Sequence, residues 1–125
     1  MWGQHLIIDL AGGRREAIQS ADVIRRFACE LVEAIHMKAY GAPLLAHFAE
    51  HSPKAAGWTL VQLIETSSIT GHFCDSSGDA YLDVFSCQEF DVQTVIDLVE
   101  ETFEPEHVST TLLMRQAHSG AAQPV

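Results

Sequence analysis

Apolar residues follow two rhythms along this chain: short alternating or continuous runs, and two longer stripes at helical spacing. Residues 5–10 (His-Leu-Ile-Ile-Asp-Leu) form a β-branched apolar run that stops at Gly12-Gly13, which predicts a buried strand. Val23, Ile24, Phe27, Ala28, Leu31 and Ile35 then recur on one side of a helix, with Arg25, Arg26, Glu30 and Glu33 on the other. Ser20 stands in the N-cap position and Asp22 in the first turn, so the helix is predicted to start at Ala21. It runs for about five turns and is ended by Gly41 and Pro43. Residues 44–48 read as a second strand, residues 51–57 as a loop, and residues 58–64 as an alternating third strand. A polar stretch of small residues, 65–72, leads into a loop through Ser76-Ser77-Gly78. Residues 80–85 form another strand. Asp91 caps a second helix whose stripe is Val92, Val95, Ile96, Val99 and Phe103, with Pro105 just beyond, and residues 108–114 form a last strand.

The order β-α-β-β-β-α-β predicts an α+β fold, a two-layer sandwich with two helices on one face of a mostly antiparallel sheet. Residues 1–118 are expected to form one domain, and residues 119–125 a disordered tail. Two helices cover only one face of the sheet, so a second copy of the chain is expected on the other, giving a homodimer or higher homo-oligomer.

Composition narrows the functional classes. The chain has 125 residues, of which 47% are hydrophobic and 19% charged, enough to bury one modest core. With 7 Lys+Arg against 17 Asp+Glu, the net charge is −10, which disfavours nucleic acid and anionic membrane surfaces as partners. No apolar run reaches the roughly 18 residues of a membrane span. The first residues lack the basic stretch and long apolar run of a signal peptide. Three cysteines, Cys29, Cys74 and Cys87, do not form a disulfide framework, and a reducing cytoplasm is the expected compartment.

Candidate chemistry lies in the middle of the chain. His72, Cys74, Asp75 and Cys87, with His47 or His51, contain one loose ligand pair where structural zinc uses two paired knuckles, so no metal is expected. The hydroxyls of Thr66, Ser67, Ser68 and Thr70 precede His72. Such a cluster is either a Ser/Thr-rich turn or part of a nucleophilic Ser–His or Cys–His pair, and spacing leaves both open. Thr59 is by itself a favourable strand residue, and Cys87 by itself a small core residue.

Three segments bear a family resemblance. Gln4-His5-Leu6-Ile7-Ile8-Asp9-Leu10-Ala11-Gly12 is similar to K-H-L-I-x-D-L-x-G, Ser67-Ser68-Ile69-Thr70-Gly71-His72 to S-H-[IL]-[ST]-I-H, and Leu82-Asp83-Val84-Phe85-Ser86-Cys87 to V-D-V-F-T-C. These are motifs of the short prokaryotic S-adenosylmethionine decarboxylases, pyruvoyl enzymes made as self-cleaving proenzymes. The resemblance runs from about Gly3 to Met114, with a small length difference near residues 52–56. It implies autocatalytic serinolysis between Thr66 and Ser67, leaving on Ser67 a covalent pyruvoyl group that forms a Schiff base with the substrate amine. It implies Thr59 as a processing residue, His72 as the base that removes the Ser67 α-proton, and Cys87 as the proton donor in turnover. Its product would feed spermidine, a polyamine.

The chain also departs from that pattern. Thr66 stands where the family has Glu, and Ser68 where it has His. Phe73-Cys74-Asp75-Ser76 replaces T-W-P-E, whose aromatic stacks on adenine and whose acid binds the ribose. Phe48 and Phe73 are the candidate substitutes for stacking, and Asp75 or Asp79 for the acid. The departures keep two alternatives open: the same chemistry on a smaller amino acid such as ornithine or arginine, and an unprocessed relative that binds a metabolite or partner chain.

Overall fold

The computed structural model describes residues 2–118, so the expected tail at 119–125 lies outside the described residues. The elements in chain order are β1 (Gly3–Ala11), α1 (Arg15–Ile18), α2 (Ala21–Ala34), β2 (Leu44–Phe48), β3 (Gly57–Ile64), β4 (Ser67–Cys74), β5 (Ala80–Ser86), α3 (Val92–Phe103) and β6 (His107–Arg115). The strands form one six-stranded sheet in the order β2-β3-β4-β5-β1-β6, with each neighbouring pair antiparallel. The expected α+β sandwich is present, with one strand and one short helix more than the sequence pattern indicated.

The additional strand is β4, the polar stretch read from sequence as a turn. Alternation explains it: Ile69, Gly71 and Phe73 face the helices, while Ser68, Thr70 and His72 face the opposite side. Only one side of this strand needs to be apolar, so its low hydrophobicity is no obstacle to a central position. Gly71 makes room for its neighbour, because a Cβ there would lie 2.9 Å from the Phe73 ring and 2.7 Å from Leu82.

Helix α2 begins where expected, with Ser20 Oγ accepting from the Val23 N–H at 3.2 Å. It is shorter than expected, ending at Ala34 rather than running towards Gly41. The stop is a reverse turn at His36 (φ 58°), where the His36 N–H donates to the Glu33 carbonyl and the Met37 N–H to the Val32 carbonyl. The core lies between the helices and the inner sheet face. Leu6, Ile8, Leu60, Ile69, Phe73, Leu82 and Val84 pack there against Ile24, Phe27, Leu31, Val95, Val99 and Phe103. Phe103 anchors it, with ring centroids 4.9 Å from Phe27 and 5.5 Å from Phe73. Among the described residues the other face of the sheet carries no helix. It presents the exposed apolar side chains Leu44, Phe48, Leu63 and Tyr81 alongside Thr59, Ser68, Thr70 and His72. Among the described residues no helix is long and apolar enough to cross a membrane.

Candidate active site

The candidate residues collect at two ends of β4. Ser67 opens the strand immediately after a two-residue turn, Glu65-Thr66, which connects the paired residues Ile64 and Ser67. Thr66 holds φ 62°, a left-handed conformation that is costly for a β-branched residue. Strain of this kind costs about 1–3 kcal/mol and persists only where the surroundings enforce it. Here the loop before β2 enforces it: the Glu65 N–H donates to the Lys38 carbonyl at 3.0 Å, and the Tyr40 N–H to the Leu63 carbonyl at 2.8 Å. The Thr66–Ser67 peptide bond therefore follows directly from a strained, pinned residue.

Around that bond the polar groups converge. Ser67 Oγ donates to Ser86 Oγ at 2.7 Å, and Ser86 Oγ also accepts from the Gln88 N–H at 2.9 Å. Ser86 itself is fully buried. The Cys87 N–H donates to the Thr66 carbonyl oxygen at 3.4 Å. A backbone donor already faces the carbonyl that a Ser67 attack would turn into an oxyanion. The sequence reading did not single out Ser86. Its position between Phe85 and Cys87 in the V-D-V-F-T-C-like segment was the available signal.

The second group lies at the other end of the strand. His72 Nδ1 and Thr59 Oγ1 are 3.2 Å apart, cross-strand partners on the open face. Five residues of extended chain separate Ser67 from His72, about 16 Å at roughly 3.3 Å per residue, and the odd spacing puts their side chains on opposite faces. The structure thus brings Thr59 to His72 and Ser67 to Ser86 and the Cys87 backbone, but it does not bring His72 to Ser67 within one chain. A second histidine missed by the sequence reading stands closer to the Ser67 end: His5 Nε2 and Asp83 Oδ1 are 2.9 Å apart, and His5 pairs with Phe85, which pairs with Ser68. Spatial adjacency across β1 and β5 created that pair, and spacing along the chain gave no sign of it.

The residues proposed for substrate contact are placed differently. Phe73 is 1% exposed and packs on Phe103 in the core, on the face away from His72, so it is not available for stacking on a ligand. Phe48 is exposed on edge strand β2. Asp75 is bound within the protein: its Oδ2 lies 2.6 Å from His47 Nε2, and its N–H donates to the Ala56 carbonyl. Ser76 Oγ donates to the Pro53 carbonyl at 3.0 Å, so the altered segment after His72 is tied to the loop between β2 and β3. Asp79 accepts from the Gly12 N–H at 3.0 Å. Burial, with Asp79 adding, pushes the Cys74 thiol above its usual range and keeps it protonated near neutrality. Among the described residues no group of three or more His, Cys, Asp and Glu side chains is placed to hold a metal ion.

The hydrogen bond to Asp75 holds His47 above the ordinary imidazole value of 6.5, and Glu50, 3.6 Å from Nδ1, favours the charged ring as well. A folded-state pKa above the unfolded one stabilises fully below about 6.5, and the contribution fades as pH rises through the folded value. Wild-type protein is therefore expected to lose melting temperature relative to His47→Gln between pH 6 and 8. A constant difference across that range, measured by thermal denaturation, contradicts the assignment.

Comparison with known proteins places these features. A family model described as S-adenosylmethionine decarboxylase matches residues 4–116. The chain is 30% identical over 105 residues to an S-adenosylmethionine decarboxylase proenzyme of Archaeoglobus fulgidus, covering 83% of this chain and 88% of that protein. It is 29% identical over 116 residues to the proenzyme of the same description from Brevibacillus brevis, covering 91% and 82%. Its fold is similar to the crystal structure of the adenosylmethionine decarboxylase from Aquifex aeolicus, with a TM-score of 0.77, 20% identity and 98% of each chain covered. The two motif-bearing strands, the serine-opened β4 and the Cys87 end of β5, lie within the matched span, and the chain belongs to the S-adenosylmethionine decarboxylase family of carboxy-lyases.

Proposed function

We propose that this chain is a self-processing, pyruvoyl-dependent S-adenosylmethionine decarboxylase that supplies spermidine synthesis and works as a homodimer. The observation that carries this reading is the scissile bond itself. A serine hydroxyl follows a residue held at φ 62°, and the carbonyl between them already accepts a backbone N–H from Cys87.

Ser67 Oγ attacks the Thr66 carbonyl carbon, and the Cys87 N–H stabilises the oxyanion. Collapse breaks the C–N bond and forms an ester, releasing the Ser67 amine and the left-handed strain at Thr66. Thr59 orients the His72 imidazole, which removes the Ser67 α-proton. Elimination then frees residues 1–66 with a terminal carboxylate. Hydration and loss of ammonia leave an α-keto group on residue 67. Such a group supplies an electrophilic carbonyl for a substrate amine and an electron sink for decarboxylation. The Cys87 thiol returns a proton to the substrate α-carbon. The residues present suit the formation of that group: a serine with a rotatable hydroxyl, a carbonyl polarised by a backbone N–H, and an imidazole held by a neighbouring hydroxyl.

The base must come from a second copy. His72 stands about 16 Å along the strand from Ser67 in its own chain, too far for proton transfer. The open face that carries His72 also exposes Leu44, Phe48, Leu63 and Tyr81, a surface suited to stacking on its equivalent in another protomer. Two-fold stacking presents the Thr59–His72 pair of one protomer to the Ser67–Cys87 end of its partner. Scission tests the reading: purified protein is expected as two fragments, one beginning at residue 67, and a chain that stays intact contradicts it.

A further inference from the structure

Ester formation moves one proton. Ser67 Oγ must lose its hydrogen as it bonds to the Thr66 carbonyl carbon, and the Ser67 nitrogen must gain one as its bond to that carbon breaks. The histidines near the strand do not face that hydroxyl within the chain. His72 and the His5–Asp83 pair lie on the open face, while Ser67 shares the inner face with Ile69 and Phe73.

Ser86 does touch the proton. Ser67 and Ser86 are cross-strand partners on the inner face of β4 and β5. The Cys87 N–H donates to the Thr66 carbonyl, which makes them a non-hydrogen-bonded pair, the kind whose Cα atoms stand only about 4.5 Å apart. Their hydroxyl oxygens are 2.7 Å apart.

Valence sets the direction of that bond. Ser86 Oγ has one hydrogen and two lone pairs. Its hydrogen goes to Met37 Sδ at 3.6 Å, and one lone pair accepts the Gln88 N–H at 2.9 Å. The other lone pair is left for Ser67, so Ser67 donates and its own lone pairs stay free for the carbonyl. Gln4, the partner of Ser86 on β1, does not compete, because its amide donates to the Phe90 carbonyl at 3.0 Å. A thioether is a weak acceptor, so the Ser86 hydrogen is held loosely. Ser86 is fully buried, where a hydroxyl is costly unless every bond is made. Alanine would fill the same space without that requirement.

We propose that Ser86 is a catalytic residue of self-cleavage, the proton relay between Ser67 Oγ and the Ser67 nitrogen. As the Oγ–C bond forms, Ser86 Oγ takes the Ser67 proton. As the C–N bond breaks, Ser86 gives its own proton to the departing nitrogen. The products are an ester and a neutral amine, and Ser86 ends as it began, so no outside acid or base is consumed. The proposal rests on the decarboxylase reading and places Ser86 in ester formation, before the elimination assigned to His72.

The test follows, by mass analysis, how fast freshly purified chain becomes cleavable by hydroxylamine. It is run in the His72→Ala chain, which is expected to stall as the ester. Adding Ser86→Ala is expected to slow ester formation by about 10²-fold. Adding Ser86→Thr, which keeps the hydroxyl, is expected to recover most of the rate. A role in packing alone predicts the opposite order, since threonine crowds this buried position more than alanine does. In the chain that keeps His72, Ser86→Ala is expected to stay largely uncut and to accumulate no ester. Ester formation at an unchanged rate in Ser86→Ala, equal slowing by alanine and threonine, or ester accumulating in Ser86→Ala with His72 present overturns the relay and leaves the decarboxylase reading standing. A wild-type chain that never splits overturns both.

Discussion

Ser67→Ala and His72→Ala chains, each expected to remain uncut when made alone, are expected to restore scission when made together. Ser67→Ala lacks the nucleophile. His72→Ala lacks the base for elimination and is expected to stall as an ester, which hydroxylamine cleaves far faster than an amide. In a mixed dimer the Ser67→Ala protomer still presents the Thr59–His72 pair, which lies on the face proposed to meet its partner. With random pairing of equal amounts, about half of the His72→Ala chains sit in mixed dimers, and those are the chains that split. Mass analysis of the co-purified protein reads this directly. If no chain is cut in the mixture while wild type is cut, His72 acts within its own chain and the shared site is wrong.

Cys87→Ser separates the two duties proposed for that position. Its backbone N–H, the donor to the Thr66 carbonyl, survives the substitution, so scission is expected to continue. Its thiol does not survive, and a serine hydroxyl is a far weaker acid. Carbon dioxide release from S-adenosylmethionine is expected to fall by about 10²-fold or more, the usual scale for losing a general acid. Misplaced protonation is also expected to transfer the substrate amine to residue 67 and inactivate the protein during turnover. Wild-type turnover in Cys87→Ser returns that residue to a structural role at the end of β5. Failure to split would place the side chain in processing instead.

Most of the fold could be read from local pattern. Ser20 and Asp91 cap the helices they were expected to cap, and β2 spans residues 44–48 as the apolar run indicated. The misses have physical causes. β4 is half polar because its outer face, with Ser68, Thr70 and His72, packs against no helix among the described residues, so a hydrophobicity pattern read it as a turn. Helix α2 ends on His36 at positive φ where the usual signal is glycine, and Gly41 drew the boundary too far. For the site, the motifs placed Ser67, Thr59, His72 and Cys87 in order but not their separation. Only strand parity shows that Ser67 and His72 face opposite ways. Parity likewise sends Phe73 to the core and leaves Phe85, stacked on Trp2, beside the Ser67 end of β4, which no spacing within a single strand could reveal. Asp75 looked free in sequence because its partner, His47, is 28 residues earlier.

The intact mass of the purified wild-type chain under denaturing, reducing conditions tests the central claim most directly. The account predicts two species, residues 1–66 ending in a free carboxylate and residues 67–125 beginning with an α-keto acyl group that blocks Edman degradation. A single uncut chain of 125 residues after prolonged incubation would contradict it, and the protein would then be an unprocessed member of the family.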